Sequence, residues 1–288
     1  MLGAITGDVV GSVYEFRNTR EYSFPLFSGD SVYTDDSIMT LAVARWLLDD
    51  PGLSYAKLEE SLVRFGKEYP SPKGGYGGSF SRWLFYPQVR GDYSGPSRDA
   101  PYESPTGRRP YYSFGNGAAM RVSAVGWFFD TLEETERVAE ISAAITHDHP
   151  EGIRGAKATA AAIFLAREGK SREEIRDYIR ENFGYDLSQS WDYWHDHYGW
   201  DASCQGTVPQ ALIAFLNSSD FEDAIRRAVS LGGDSDTLAC ITGGVAEAFY
   251  GGVPGKIASE VLRRLPQPLL DVLTEFSRKA GYSFAGTD

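Results

Sequence analysis

Nearly every apolar run in this 288-residue chain repeats at three and four residues, and strand-like alternation is scarce. A chain patterned this way can bury its apolar faces only by packing helix on helix. Residues 35–49 place Ile38, Leu41, Ala44 and Leu48 on one stripe, while Met39, Val43, Trp46 and Leu47 make the other faces apolar too, which predicts a largely buried helix. Residues 53–68 carry a cleaner stripe of Leu58, Leu62 and Phe65. Further helices are predicted near 117–129, 132–145, 151–168, 171–182, 205–217, 219–230, 235–250, 256–264 and 268–280. Ser171 and Glu174 form a capping-box signal before Ile175, and Pro51 and Pro254 stand at element boundaries. The expectation is one all-α domain over 1–288, ten or more helices around one core.

Composition narrows the function classes. A net charge of −12 argues against a general grip on nucleic acid or an anionic membrane, although a local site can still receive a small anion. No stretch approaches the ~18 apolar residues of a membrane span. Cys204 and Cys240 are the only cysteines, too few for a disulfide framework or a four-Cys zinc site. Met1-Leu2-Gly3-Ala4-Ile5 enters a patterned segment at once, without a basic leader or cleavage motif, so a cytoplasmic, monomeric protein is expected.

Two regions break the helical pattern. Residues 70–116 hold seven of the 14 prolines, which predicts a long loop insertion, either a solvated excursion or a functional segment. Residues 184–204 contain Trp191, Trp194 and Trp200 and read as an aromatic-pinned loop over the core or a ligand.

Two polar clusters open predicted helices. Thr34-Asp35-Asp36-Ser37 offers three consecutive oxygen ligands where capping needs one. Gly233-Asp234-Ser235-Asp236-Thr237 repeats the design, with two carboxylates that a tight turn can aim to one side. Each alone is explained by capping. Together they are a sulfur-free set suited to Mg²⁺, Mn²⁺ or Ca²⁺. If the four carboxylates converged without a cation, each pair near 4 Å would cost roughly 4 kcal/mol at an effective dielectric of ~20. Several such pairs rival a domain stability of ~5–15 kcal/mol. Either the clusters lie apart or cations lie between them.

Three more features stand out. Small residues at Gly3, Ala4, Gly7 and Gly11 give a flat helix face, but they leave Asp8 and Glu15 unexplained; Glu15, a turn past Gly11, is a candidate acid or base. Ser113-Phe114-Gly115-Asn116-Gly117 is a Gly-rich turn opening a helix, able to present N–H groups to phosphate or to serve as a plain junction. Thr146-His147-Asp148-His149-Pro150 is a polar junction whose two histidines could also take zinc.

In order, Gly7-Asp8-x-x-Gly11 with Glu15-Phe16, Thr34-Asp35-Asp36-Ser37, Gly115-Asn116-Gly117-Ala118-Ala119-Met120-Arg121, Thr146-His147 and Gly233-Asp234-Ser235-Asp236-Thr237 resemble the ADP-ribosylglycohydrolase family, over Gly3 to about Gly251. The resemblance implies an all-α orthogonal bundle that cleaves the ribose C1″ bond of ADP-ribosyl conjugates. It implies two Mg²⁺ or Mn²⁺ ions held by Thr34, Asp35, Asp36, Asp234, Asp236 and Thr237, with Asp236 bridging. Glu15 would move the proton, with Asp35 as its rival. Ser113, Phe114, Gly115, Asn116 and Gly117 would receive the diphosphate and adenosine, and His147 would line the same cleft. Some arginine-specific members lack the glutamate, which leans this chain towards serine-linked or nitrogenase-reductase-type substrates. The competing expectation is a non-catalytic ADP-ribose-binding or structural protein on the same fold.

Overall fold

The computed structural model describes residues 1–87 and 102–282. Within them the chain forms fifteen helices and no strands, beyond the isolated bridges Thr34–Lys73 and Gly115–Ser203. The all-α bundle expected from the periodicity is the observed architecture. In order the helices are α1 (Leu2–Gly11), α2 (Asp35–Asp49), α3 (Tyr55–Glu68), α4 (Gly78–Phe85), α5 (Gly117–Met120), α6 (Ser123–Phe128), α7 (Leu132–Ala144), α8 (Pro150–Arg167), α9 (Arg172–Phe183), α10 (Trp191–His197), α11 (Cys204–Leu216), α12 (Phe221–Ser230), α13 (Ser235–Tyr250), α14 (Gly255–Leu262) and α15 (Gln267–Lys279). Among the described residues, no helix is long and apolar enough to cross a membrane.

Helix α13 is the hub, packed against α1, α8, α11 and α12. Its contact with α1 is backbone to backbone. A Cβ on Gly7 would stand 1.9 Å from the Ala239 carbonyl oxygen, and one on Gly11 would stand 2.4 Å from the Asp236 Cα. The small-residue face of α1 therefore sets the distance between the loop after Gly11 and the start of α13, where the Asp-rich cluster lies. The buried apolar side chains around this pair form one continuous cluster, each Leu, Ile, Val or Phe worth roughly 1.5–3 kcal/mol on burial.

The predicted helix ends hold where a cap marks them. The Ser171–Glu174 box closes reciprocally, and α9 ends on Gly184 in the left-handed region. Three expectations are revised. The predicted 117–129 helix is two short ones, because Arg121 and Val122 take ψ near 0° between α5 and α6. The Met120 carbonyl instead accepts from Thr40 Oγ1 (3.2 Å) and the Cys240 thiol. The 70–116 loop contains α4, and its return segment is tied down. Buried Glu59 gathers the hydroxyls of Tyr102, Ser104 and Thr106, while Arg108 donates to the carbonyls of Trp83 and Leu84. Residues 88–101 of that expected loop lie outside the described residues. The Trp-rich 184–204 segment contains α10, whose Trp191 indole donates to the Arg227 carbonyl.

Candidate metal centre and cleft

Asp8 is the first organising residue. It is fully buried on α1, and its carboxylate accepts from the Thr34 amide (2.9 Å) and hydroxyl (2.6 Å) and from the Ser37 amide (3.0 Å) and hydroxyl. A carboxylate thus clamps the first turn of α2 and turns Asp35 and Asp36 towards α13. The capping reading of Thr34 is also met, since its oxygen accepts weakly from the Asp36 amide (3.3 Å). One lone pair of that hydroxyl is left over.

The second cluster is shaped by Gly232 and Gly233, both in the left-handed region (φ +72° and +69°). They swing Asp234 to the start of α13, where it makes no side-chain cap bond. Its Oδ2 accepts instead from Asn116 Nδ2 at 2.7 Å. Asp236, two residues on, points the same way, as a tight turn allows. Thr237 Oγ1 donates to Asp36 Oδ2 at 3.3 Å, so the two clusters meet across the helix ends.

Glu15 arrives from the loop after α1. Oxygens of Glu15, Asp234 and Asp236 lie within 4.8 Å of one another. Glu15 Oε2 and Asp36 Oδ1 are buried and have no hydrogen-bond partner. Burial pushes the Glu15 carboxyl up to about 7, aided by the neighbouring charge of Asp234. Burial, then the charge of Asp8, holds Asp35 and Asp36 well above the usual carboxylate range; burial, then Asp234, does the same for Asp236. Orphaned anionic oxygens in a hard-oxygen setting fit a divalent cation, which would satisfy those lone pairs and offset the crowded charge.

These groups line a cleft of about 400 Å³, within the ~300–1,000 Å³ range of small-molecule sites. Of the residues expected from the sequence, Glu15, Asp35, Asp36, Asp234, Asp236, Thr237, Ser113, Gly115, Asn116, Gly117 and His147 line it. Thr34 stands behind it, fully buried. Phe114 is not among the lining residues; half-exposed, its ring meets His149 edge-on at 5.4 Å.

The Gly-rich turn differs from a free phosphate cradle. The Gly115 amide donates to Ser113 Oγ (3.0 Å) and the Asn116 amide to the Ala202 carbonyl (2.8 Å), so both are committed internally. Among the described residues the candidate metal cluster is Glu15, Asp234 and Asp236, and neither histidine of the pair belongs to it. His149 Nδ1 caps α8 by accepting from Glu151, while His147 Nδ1 faces the Thr146 hydroxyl.

Sequence reasoning missed two parts of the site. Asn18 staples the Glu15 loop to Gly233. The run Gly74-Gly75-Tyr76-Gly77-Gly78 forms a cleft wall in which a Cβ on Gly74 would stand 2.6 Å from Glu15 Oε2. The glycine density of that run was the available signal; nothing local marks Asn18.

The architecture is an all-α bundle with an acidic cluster at facing helix ends beside a cleft, and the comparisons give its family. A model of the ADP-ribosylglycohydrolase family matches residues 1–281, and the chain belongs to that family. It is similar to the ADP-ribosylhydrolase ARH3 of Mus musculus, 27% identical with 87% of this chain and 82% of that protein covered. It is also similar to the ADP-ribosylarginine hydrolase Tri1 of Pseudomonas putida (strain GB-1), 26% identical with 94% and 76% covered. Among solved structures it shares its fold with an ADP-ribosylglycohydrolase-related protein complex, at a TM-score of 0.68, 24% identity and 97% coverage of each chain.

Proposed function

We propose that this protein hydrolyses the bond at ribose C1″ of ADP-ribosyl conjugates, with two divalent cations held by Thr34, Asp35, Asp36, Asp234, Asp236 and Thr237. The observation that carries this reading is the convergence of Glu15, Asp234 and Asp236 beside the orphaned Asp36 oxygen, at the floor of a cleft walled by the Ser113–Gly117 turn and His147. Mg²⁺ or Mn²⁺ bound there would supply Lewis-acid polarisation and orient ribose hydroxyls.

The chain's own groups do the rest. Breaking the C1″ bond builds oxocarbenium-like positive charge on the sugar. Glu15, whose carboxyl burial raises above its ordinary value, can give a proton to the leaving atom or take one from the attacking water. Asn116 holds Asp234 in place, and the wall formed by Ser113, Gly115, Gly117 and His147 would receive the diphosphate. The substrate is an ADP-ribosylated protein side chain or a related small ADP-ribosyl compound.

Turnover of ADP-ribosyl-arginine, ADP-ribosyl-serine, poly(ADP-ribose) and 1″-O-acetyl-ADP-ribose, with metal and with chelator, tests the reading. Metal-dependent release of ADP-ribose from at least one is expected. No turnover of any, in protein whose Mn²⁺ binding is verified by electron paramagnetic resonance, overturns it.

A further inference from the structure

His147 is buried at the base of the Gly-rich turn, and its ring orientation has an identifiable cause. Its Nδ1 lies 2.8 Å from Thr146 Oγ1. The same oxygen lies 2.8 Å from Nη2 of Arg121, which also donates to the Ser142 carbonyl. A guanidinium has only donors, so Thr146 must accept from it. The hydroxyl has one proton, and the acceptor in reach is His147 Nδ1. If the hydroxyl gives that proton to Nδ1, the nitrogen carries none and the imidazole hydrogen sits on Nε2. That edge faces the cleft: a Cβ on Gly117 would stand 3.1 Å from Nε2, and one on Gly115 3.6 Å. The two glycines leave room for the imidazole edge.

We propose that Arg121 and Thr146 are positioning residues that lock His147 in its Nε2–H tautomer, making it a fixed donor to an acceptor oxygen of the bound ADP-ribosyl group. The ligand half of this statement rests on the proposed function; the tautomer half does not. The relay is held from both sides. Thr146 receives the Tyr111 amide on its carbonyl (3.1 Å), and the ring of Tyr111 lies 5.5 Å from that of His147. Arg121 stands at the break between α5 and α6, which periodicity did not predict. Burial, then the charge of Arg121, holds His147 well below the usual histidine range, so the ring stays neutral. A neutral ring that is protonated only at Nε2 can offer a hydrogen bond there but cannot take a proton from substrate.

The test is ¹⁵N-resolved NMR of the His147 ring, assigned with His147→Asn, alongside calorimetry with ADP-ribose and Mn²⁺. Wild type should show the Nε2–H tautomer without ligand. Thr146→Val should mix or reverse the tautomer and weaken ADP-ribose binding about tenfold, leaving Mn²⁺ affinity unchanged. Thr146→Ser should restore both signals. An Nδ1–H tautomer in wild type, or a wild-type tautomer in Thr146→Val, overturns the relay. A switched tautomer with unchanged ADP-ribose affinity overturns its role in binding. If wild type binds no ADP-ribose, the proposed function falls while the tautomer measurement still decides the lock.

Discussion

The side-chain amide of Asn18 binds both backbone groups of Gly233, accepting from its N–H at 2.9 Å and donating to its carbonyl at 2.8 Å. The same Nδ2 reaches the carbonyls of Tyr14 (2.7 Å) and Glu15 (3.0 Å). One side chain therefore couples the loop carrying Glu15 to the turn carrying Asp234, although 215 residues separate Asn18 from Gly233.

Asn18→Ala should uncouple them. Losing hydrogen bonds worth ~0.5–1.5 kcal/mol each should lower the melting temperature by a few degrees. The larger effect should be on turnover, with kcat falling about 10–100-fold as Glu15 loses its fixed distance from the acidic cluster. Steady-state kinetics beside calorimetric melting separate the two. An unchanged kcat would remove the positioning role.

Glu15→Gln should keep the fold and ADP-ribose binding while reducing turnover by about 10²–10⁴, the usual worth of a positioned acid or base. Single-turnover assays with bound substrate check this. Wild-type rates would transfer the proton step to another group, with Asp35 first in line.

Asp236→Asn should abolish Mn²⁺ binding, yet stabilise the metal-free protein. The Asp236 carboxyl is raised well above 3.8 in the fold by burial and by Asp234. An acid raised on folding favours the native state only while protonated, so metal-free stability drains as pH rises from about 4 through the raised folded-state value. The variant cannot ionise there. Its melting temperature in chelator should therefore exceed that of wild type by a margin that grows from pH 4 to pH 8. Saturating Mn²⁺ should reverse the order. A margin that shrinks with pH would contradict the charge-crowding account.

Gly7→Ala should be among the most damaging single substitutions in the chain. Its Cβ would overlap the Ala239 carbonyl oxygen, an atom of helix backbone that cannot rotate away. Separating α1 from α13 should cost more than the ~1–3 kcal/mol of ordinary overpacking. It should also part Glu15 from Asp236. Urea denaturation and soluble yield report the first effect, Mn²⁺ affinity the second.

Much of the fold was legible because its cause is local. Period-3.6 patterning and the Ser171 box act within a turn or two of themselves. The break at Arg121 was not legible, because its cause lies across the core: the Met120 carbonyl is claimed by Thr40 and Cys240, and Arg121 by Ser142 and Thr146. The prolines and glycines of 70–116 announced an irregular segment, but not the short α4 helix within it.

The sequence by itself determined that the chain is all-helical and that two oxygen-rich clusters open two of its helices, since residue type and spacing carry both facts. Whether those clusters met was undetermined, because repulsion among carboxylates argued for separation as strongly as cations argued for contact. Tertiary structure decided it. The glycine face of α1 lets α13 approach to backbone contact, Asp8 anchors α2 to the same helix, and Asn18 and Gly74 bring Glu15 against the cluster. Each is a contact between residues distant in the chain, and such contacts have no local signature.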